Sequence, residues 1–211
     1  MALSLSDIFN LTIPSDFGMN EDGEETEAFY DVTNQLPENT EIRTGASKFV
    51  IFLNDSEVIK IPFNGEYYYD EENYEKFDYF CNEDYCMIEA AVYNDAVAAG
   101  VERFFASTKY AGSTFIDKTP IYISERAART FDSVCIDEDS CSKDSFTKAE
   151  NMESLLPKTF LAIAIDFYGL EAVEKLNAFI EAEGISDLHY GNLGFRSNGE
   201  PVLIDYSGFD S

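Results

Sequence analysis

Apolar residues along this chain recur at two spacings, one helical and one extended. Over 24–36, Ala28, Phe29, Val32 and Leu36 share one helical face, and Pro37 stops the run. Two short apolar runs follow, 49–53 and 57–63, with Asn54-Asp55 between them. That turn chemistry predicts a hairpin, with Lys60 in the middle of its second strand. Ile88, Val92 and Ala96 then mark a helix over 83–99, ended by Gly100. Strands are predicted at 104–110 and 120–124, turning at Gly112. Two helices follow at 155–168 and 170–183, separated by Gly169, and Gly184 ends the second. A last hairpin, 193–195 with 201–206, turns around Ser197-Asn198-Gly199. Three stretches carry no such pattern. Residues 1–23 close on a turn at Asn20-Glu21-Asp22-Gly23, 64–85 are dense in tyrosine and acid, and 132–150 are polar. No internal repeat is visible.

This order predicts an α+β chain, a small sheet-bearing lobe followed by a helical one. Its 211 residues suit one domain or two small lobes, divided here as 1–126 and 127–211. Hydrophobic residues make up 45%, enough for a core, and 18 Phe and 13 Tyr with no Trp make it rich in single rings.

Charge narrows the function. With 41 acidic and 14 basic residues, the formal net charge is −27. Such a chain repels phosphate backbones, so no direct nucleic-acid binding is expected. The plain reading is an acidic, solvated surface. A sharper one is mimicry of a nucleic-acid backbone that occupies a basic partner. Salt adaptation is a third, disfavoured by the many Asn, Ile and Phe. No apolar run reaches membrane-spanning length, and no basic segment opens the chain, so neither a membrane nor a leader is expected. The cysteines at 81, 86, 135 and 141 lack the tight spacing of zinc sites, and His189 is the only histidine. A cytoplasmic protein with reduced thiols is expected, with two local disulfides as the alternative.

The chemistry concentrates near the end. Asp187-Leu188-His189-Tyr190-Gly191-Asn192 lies between a helix and a hairpin, and Asp205 follows in Ile204-Asp205-Tyr206-Ser207-Gly208. D-L-H-x-G-N followed by I-D-Y-x-G resembles the catalytic loop and metal motif of protein kinases and aminoglycoside-phosphotransferase-like kinases. The resemblance implies that Asp187 accepts the acceptor's hydroxyl proton and that Asn192 and Asp205 hold Mg²⁺. Upstream parts match in order. Gly45-Ala46-Ser47 resembles the nucleotide loop, with one glycine rather than three. Val58-Ile59-Lys60 resembles the strand whose lysine holds the α- and β-phosphates, and Glu89 its helical partner. Ile123-Ser124-Glu125-Arg126-Ala127 resembles the hinge, where backbone groups of Glu125 and Ala127 would meet adenine.

The resemblance spans 41–208 and implies a two-lobed kinase-like fold. A small β-rich nucleotide-binding lobe would precede a minimal helical lobe carrying the catalytic and metal loops. Two departures stand out. Ile185-Ser186 replaces the usual His-Arg before the catalytic Asp, and only Tyr206 to Ser211 follow the metal Asp, where an acceptor platform is expected. Two functions are therefore weighed. One is a Mg-ATP phosphotransferase acting on an unknown hydroxyl acceptor. The other is a nucleotide-binding pseudokinase or acidic decoy that binds a protein partner, for instance a basic DNA-handling one. Asp16-Phe17-Gly18 also spells a metal motif, but it precedes the nucleotide loop and is read as chance.

Overall fold

The structure, a computed structural model, describes residues 3–18, 25–45, 47–63, 84–133 and 140–208, and the backbone of 65–69 and 75–79. The expected α+β organisation is observed. The chain divides into two compact units, Met1–Ile88 with Thr108–Ser124, and Glu89–Ser107 with Glu125–Ser211. The sequence reading divided the chain once, between 126 and 127, whereas Glu89–Ser107 group here with Glu125–Ser211.

The first unit is built on a five-stranded sheet. Its strands are β1 (Ile42–Thr44), β2 (Lys48–Phe52), β3 (Glu57–Pro62), β6 (Thr108–Ser113) and β7 (Pro120–Glu125), in the order β1-β2-β3-β7-β6. β2 and β3 form the expected hairpin, with Phe49 opposite Ile61 and Ile51 opposite Ile59. Its turn is closed by Asn54, whose side-chain oxygen accepts from the backbone N–H groups of Ser56 (2.8 Å) and Glu57 (3.0 Å). Two short helices, α1 (Leu5–Phe9) and α2 (Glu27–Thr33), supply the rest of the core. α1 was not legible as a periodic run. It is fixed by a capping box, in which Ser4 and Asp7 satisfy each other's backbone donors. Phe17 is fully buried, stacked on Phe29 and edge-on to Phe49 and Phe63. Phe17 of Asp16-Phe17-Gly18, a match read as chance, is therefore an anchor of the core. A separate hairpin of β4 (Gly65–Tyr69) and β5 (Glu75–Tyr79) occupies the tyrosine-rich insertion.

Two expectations for this unit are corrected. The turn between β6 and β7 is not at Gly112, which sits where the register shifts within the β6–β7 pairing. The strand begins at Thr108, because 102–104 form a single 3-10 turn. The turn predicted at 20–23 lies outside the described residues.

The second unit is mostly helical. α3 (Tyr85–Ala99) leads into it, with Val92 and Ala96 buried. Part of the polar stretch 132–150 proves to be a helix, α4 (Lys143–Glu150), and the rest of that stretch from 134 to 139 lies outside the described residues. Periodicity missed it because only Ser145 and Ala149 face inward. Its start is fixed by Asp166, which accepts from the Ser142 backbone (2.6 Å), the Ser142 hydroxyl (2.8 Å) and the Ser145 hydroxyl (2.6 Å). Burial works to raise the Asp166 carboxyl, and these bonds outweigh it and hold it below its ordinary range. α5 (Lys158–Tyr168) is apolar on nearly every side, and α6 (Leu170–Glu183) buries Val173, Leu176, Phe179 and Ile180. A three-stranded sheet completes the unit in the order β10-β9-β8, from β8 (Arg129–Thr130), β9 (Leu193–Phe195) and β10 (Pro201–Leu203). Among the described residues, no helix is long and apolar enough to cross a membrane. Cys86 is buried and Cys141 half-buried, and Cys81 and Cys135 lie outside the described residues.

Candidate active site

The second unit gathers the carboxylates and the amide that the sequence singled out. α6 ends on Gly184, in the left-handed conformation at φ 71°. The Ile185 N–H then reaches back to the Ile180 carbonyl at 3.1 Å, which turns the chain sharply off the helix. Ile185 and Leu188 are buried on either side of Asp187, whose side chain is 58% exposed. Buried neighbours thus hold the backbone of an exposed carboxylate.

Asn192 organises the site and is itself nearly buried. Its side-chain NH₂ donates to the Asp187 carbonyl at 2.8 Å and to Asp187 Oδ2 at 3.1 Å. Both donors therefore face Asp187, and Oδ1 is the oxygen that the amide offers elsewhere. The Asn192 backbone carbonyl accepts from Ile204 N (2.9 Å) and from Asp205 N (3.3 Å). One residue ties the Asp187 loop to the Asp205 loop. Ser207 Oγ donates to Asp205 Oδ1 at 3.3 Å, and Tyr206, fully buried, donates its hydroxyl to the Ala106 carbonyl at 2.7 Å.

The other Asp187 oxygen faces His189, whose Nε2 is 3.5 Å from Oδ1. His189 Nδ1 accepts from the Gly191 N–H at 3.0 Å, so the ring proton sits on Nε2, toward the carboxylate. The loop closes through Ser186 N donating to the Gly208 carbonyl at 3.0 Å. Gly208 lies against Asp187. A Cβ there would come 2.3 Å from Asp187 Cβ and 3.3 Å from its Cγ and Oδ2. Gly208→Ala must therefore displace one loop from the other. A shift of about 1 Å at reacting groups can cost ~10²-fold. Any reaction that these two loops carry out together is expected to fall by about that factor in this variant, with circular dichroism unchanged. A wild-type rate would show that the contact is not needed.

The remaining sequence-predicted residues are placed as follows. Gly45 donates its N–H to the Lys48 carbonyl at 3.0 Å, and the Ser47 carbonyl accepts from Phe63 N at 3.0 Å, so both lie in a closed turn between β1 and β2. Ala46 lies outside the described residues. Lys60 is 5% exposed in β3, and Glu89 is fully buried in α3. Neither lacks a partner, as buried charges require. Ala127 follows β7 in the second unit, where its Cβ limits the space at Gly194.

Glu125 makes contacts that the sequence did not disclose. Its backbone N–H donates to the Ser107 carbonyl at 2.8 Å. Its carboxylate takes a two-pronged contact from Arg196, Nε to Oε1 at 2.7 Å and Nη2 to Oε2 at 3.0 Å. Arg196 also donates to the carbonyls of Arg103 (2.6 Å) and Phe105 (3.1 Å). Burial works to lower the Arg196 guanidinium, and Glu125 outweighs it and raises it further. The available signal was slight: one of the chain's few basic residues, next to an apolar strand and four before Glu200.

The metal ligands expected from the sequence are Asn192 and Asp205. Among the described residues no three of His, Cys, Asp or Glu gather to hold a metal. Asn192 Oδ1 and the Asp205 carboxylate are oxygen donors on loops joined at the Asn192 carbonyl. Mg²⁺ fits such a set, because it is bound by few protein oxygens and completes its shell with water and phosphate.

No family model matches the sequence, and no curated protein matches it. Among solved structures, one with a likeness is a type-2 SAICAR synthetase in complex with ADP. It has a TM-score of 0.35 and 16% identity, over 79% of this chain and 80% of that chain. At that score the likeness carries no argument about this chain.

Proposed function

We propose that this protein is a kinase-like phosphotransferase that moves the γ-phosphoryl group of Mg-ATP to a hydroxyl. The observation that supports this reading is the tie at Asn192. One residue orients Asp187 through its amide and holds the Asp205 loop through its carbonyl. In this reaction the acceptor oxygen bonds to the γ-phosphorus, and the bond to the β–γ bridging oxygen breaks with its electron pair leaving on ADP. The hydroxyl proton passes to the Asp187 carboxylate. Asn192 Nδ2 and His189 Nε2 hold that carboxylate in one orientation. Mg²⁺, held by Asn192 and Asp205, would neutralise phosphate charge. In the first unit, Gly45 and Ser47 would cover the phosphates and Lys60 would contact them, with Glu89 as its partner. The Glu125 N–H is already committed to Ser107, so adenine would meet the Glu125 carbonyl and the Ala127 backbone.

Calorimetric titration of ATP with and without Mg²⁺ tests this reading, followed by transfer from labelled ATP. A hydrogen bond to a charged group is worth ~1.5–3 kcal/mol, so Lys60→Ala is expected to weaken ATP binding by about 10- to 100-fold. Absence of ATP binding at millimolar concentration with Mg²⁺ would falsify the nucleotide reading. The charge of −27 favours a second reading, a nucleotide-binding pseudokinase or acidic decoy. Its signature is ATP binding without turnover, together with capture of a basic protein that DNA competes away.

A further inference from the structure

We propose that Tyr190 is the surface that holds the acceptor, its outward ring face stacking on an aromatic ring of the molecule to be phosphorylated. This rests on the phosphotransferase reading above.

Tyr190 belongs to the Asp187 loop and follows His189, whose ring lies 3.5 Å from the Asp187 carboxylate. Its ring lies parallel to Phe131, at 5.5 Å and 6°. Phe131 in turn lies parallel to Phe195, at 4.8 Å and 16°. Phe131 and Phe195 are buried, while Tyr190 is 47% exposed. One face of the Tyr190 ring is therefore turned toward the stack, and about half of the residue is open to solvent. The Tyr190 hydroxyl lies 3.4 Å from Thr159 Oγ1, a second point that fixes the ring. A ring held from behind by two buried rings has already lost its rotamer freedom, so a ligand ring added to the stack gains contact at little ordering cost.

Charge selects among aromatic ligands. Asp187 belongs to this loop, Asp132 follows Phe131 in sequence, and the chain carries −27. Anionic acceptors are disfavoured, and uncharged or cationic aromatic hydroxyl compounds remain. Two sources share that chemistry, a free aromatic alcohol and a tyrosine within a peptide. In either case the acceptor oxygen gains the γ-phosphoryl, ADP leaves with the bridging oxygen, and Asp187 takes the proton.

The test is saturation-transfer NMR on the full chain with Mg-ATP. The probes are 2-phenylethanol, 2-cyclohexylethanol and the tripeptide Gly-Tyr-Gly. Aromatic protons of the phenyl compound or the peptide are expected to receive saturation, and which of them does so identifies the source. The cyclohexyl compound, of similar size without a flat ring, is expected to bind more weakly. Tyr190→Ala is expected to weaken aromatic binding about tenfold, and Tyr190→Trp to retain it. The signals of ATP itself are expected to be the same in all three proteins. Equal binding of phenyl and cyclohexyl probes, or unchanged aromatic binding in Tyr190→Ala, overturns the proposal and leaves the phosphotransferase reading standing. Aromatic binding without any ATP signal overturns the acceptor role together with that reading.

Discussion

Asp187→Asn is expected to lower phosphoryl transfer by about 10³-fold while ATP affinity stays within about twofold. The substitution removes a proton acceptor, and with it the oxygen that faces His189 Nε2. An amide oxygen still accepts from Asn192 Nδ2, so the contact that orients the loop persists. The backbone carbonyl of residue 187 still accepts from the same amide, and the Ile204 and Asp205 N–H groups still reach the Asn192 carbonyl. Asn192 and Asp205, the proposed metal donors, are untouched. Single-turnover transfer from labelled ATP gives the rate, and calorimetry gives the affinity. A wild-type rate in this variant would remove Asp187 from the role of base. A large loss of ATP affinity would make it a nucleotide-binding group instead.

Arg196→Ala is expected to cost about 3 kcal/mol of stability, at the lower end of what breaking a buried ion pair costs. The Arg196 side chain is 17% exposed and that of Glu125 29%. Removing the guanidinium strands the carboxylate and also takes donors from the carbonyls of Arg103 and Phe105. For a chain of this size the loss corresponds to a fall in Tm of roughly 6–12 °C, read by thermal circular dichroism. Arg196→Met with Glu125→Leu is expected to recover much of it, because two apolar side chains leave no charge unpaired. If Arg196→Ala melts within a degree of the wild type, the clamp does not stabilise the fold.

Both sites show where sequence reasoning reached and where it stopped. The long apolar runs read correctly because burial sets their period. α5, α6, β2 and β3 fell within a few residues of where they were expected. α1 and α4 were missed because their starts are fixed by polar contacts, at Ser4 with Asp7 and at Asp166 with Ser142, which leave no apolar period. Gly112 was taken for a turn because a glycine between two strands suits a turn and a bulge equally well. Asp187, Asn192 and Asp205 were singled out by resemblance to a kinase motif, and the structure puts Asp187 against Asn192 and joins their loop to that of Asp205. Arg196 and Gly208 were not, since their roles depend on residues 71 positions away in one case and on a close approach to Asp187 in the other. No local pattern encodes either relation.

The tie between the two loops is made by main-chain atoms at both ends. A carbonyl at 192 and amides at 204 and 205 are present whatever the side chains, so point substitution cannot untie them unless it introduces proline at 204 or 205. The Asn192 side chain lies outside that tie. A side-chain change at 192 therefore releases the Asp187 carbonyl and carboxylate, while the main-chain join to 204 and 205 stays in place.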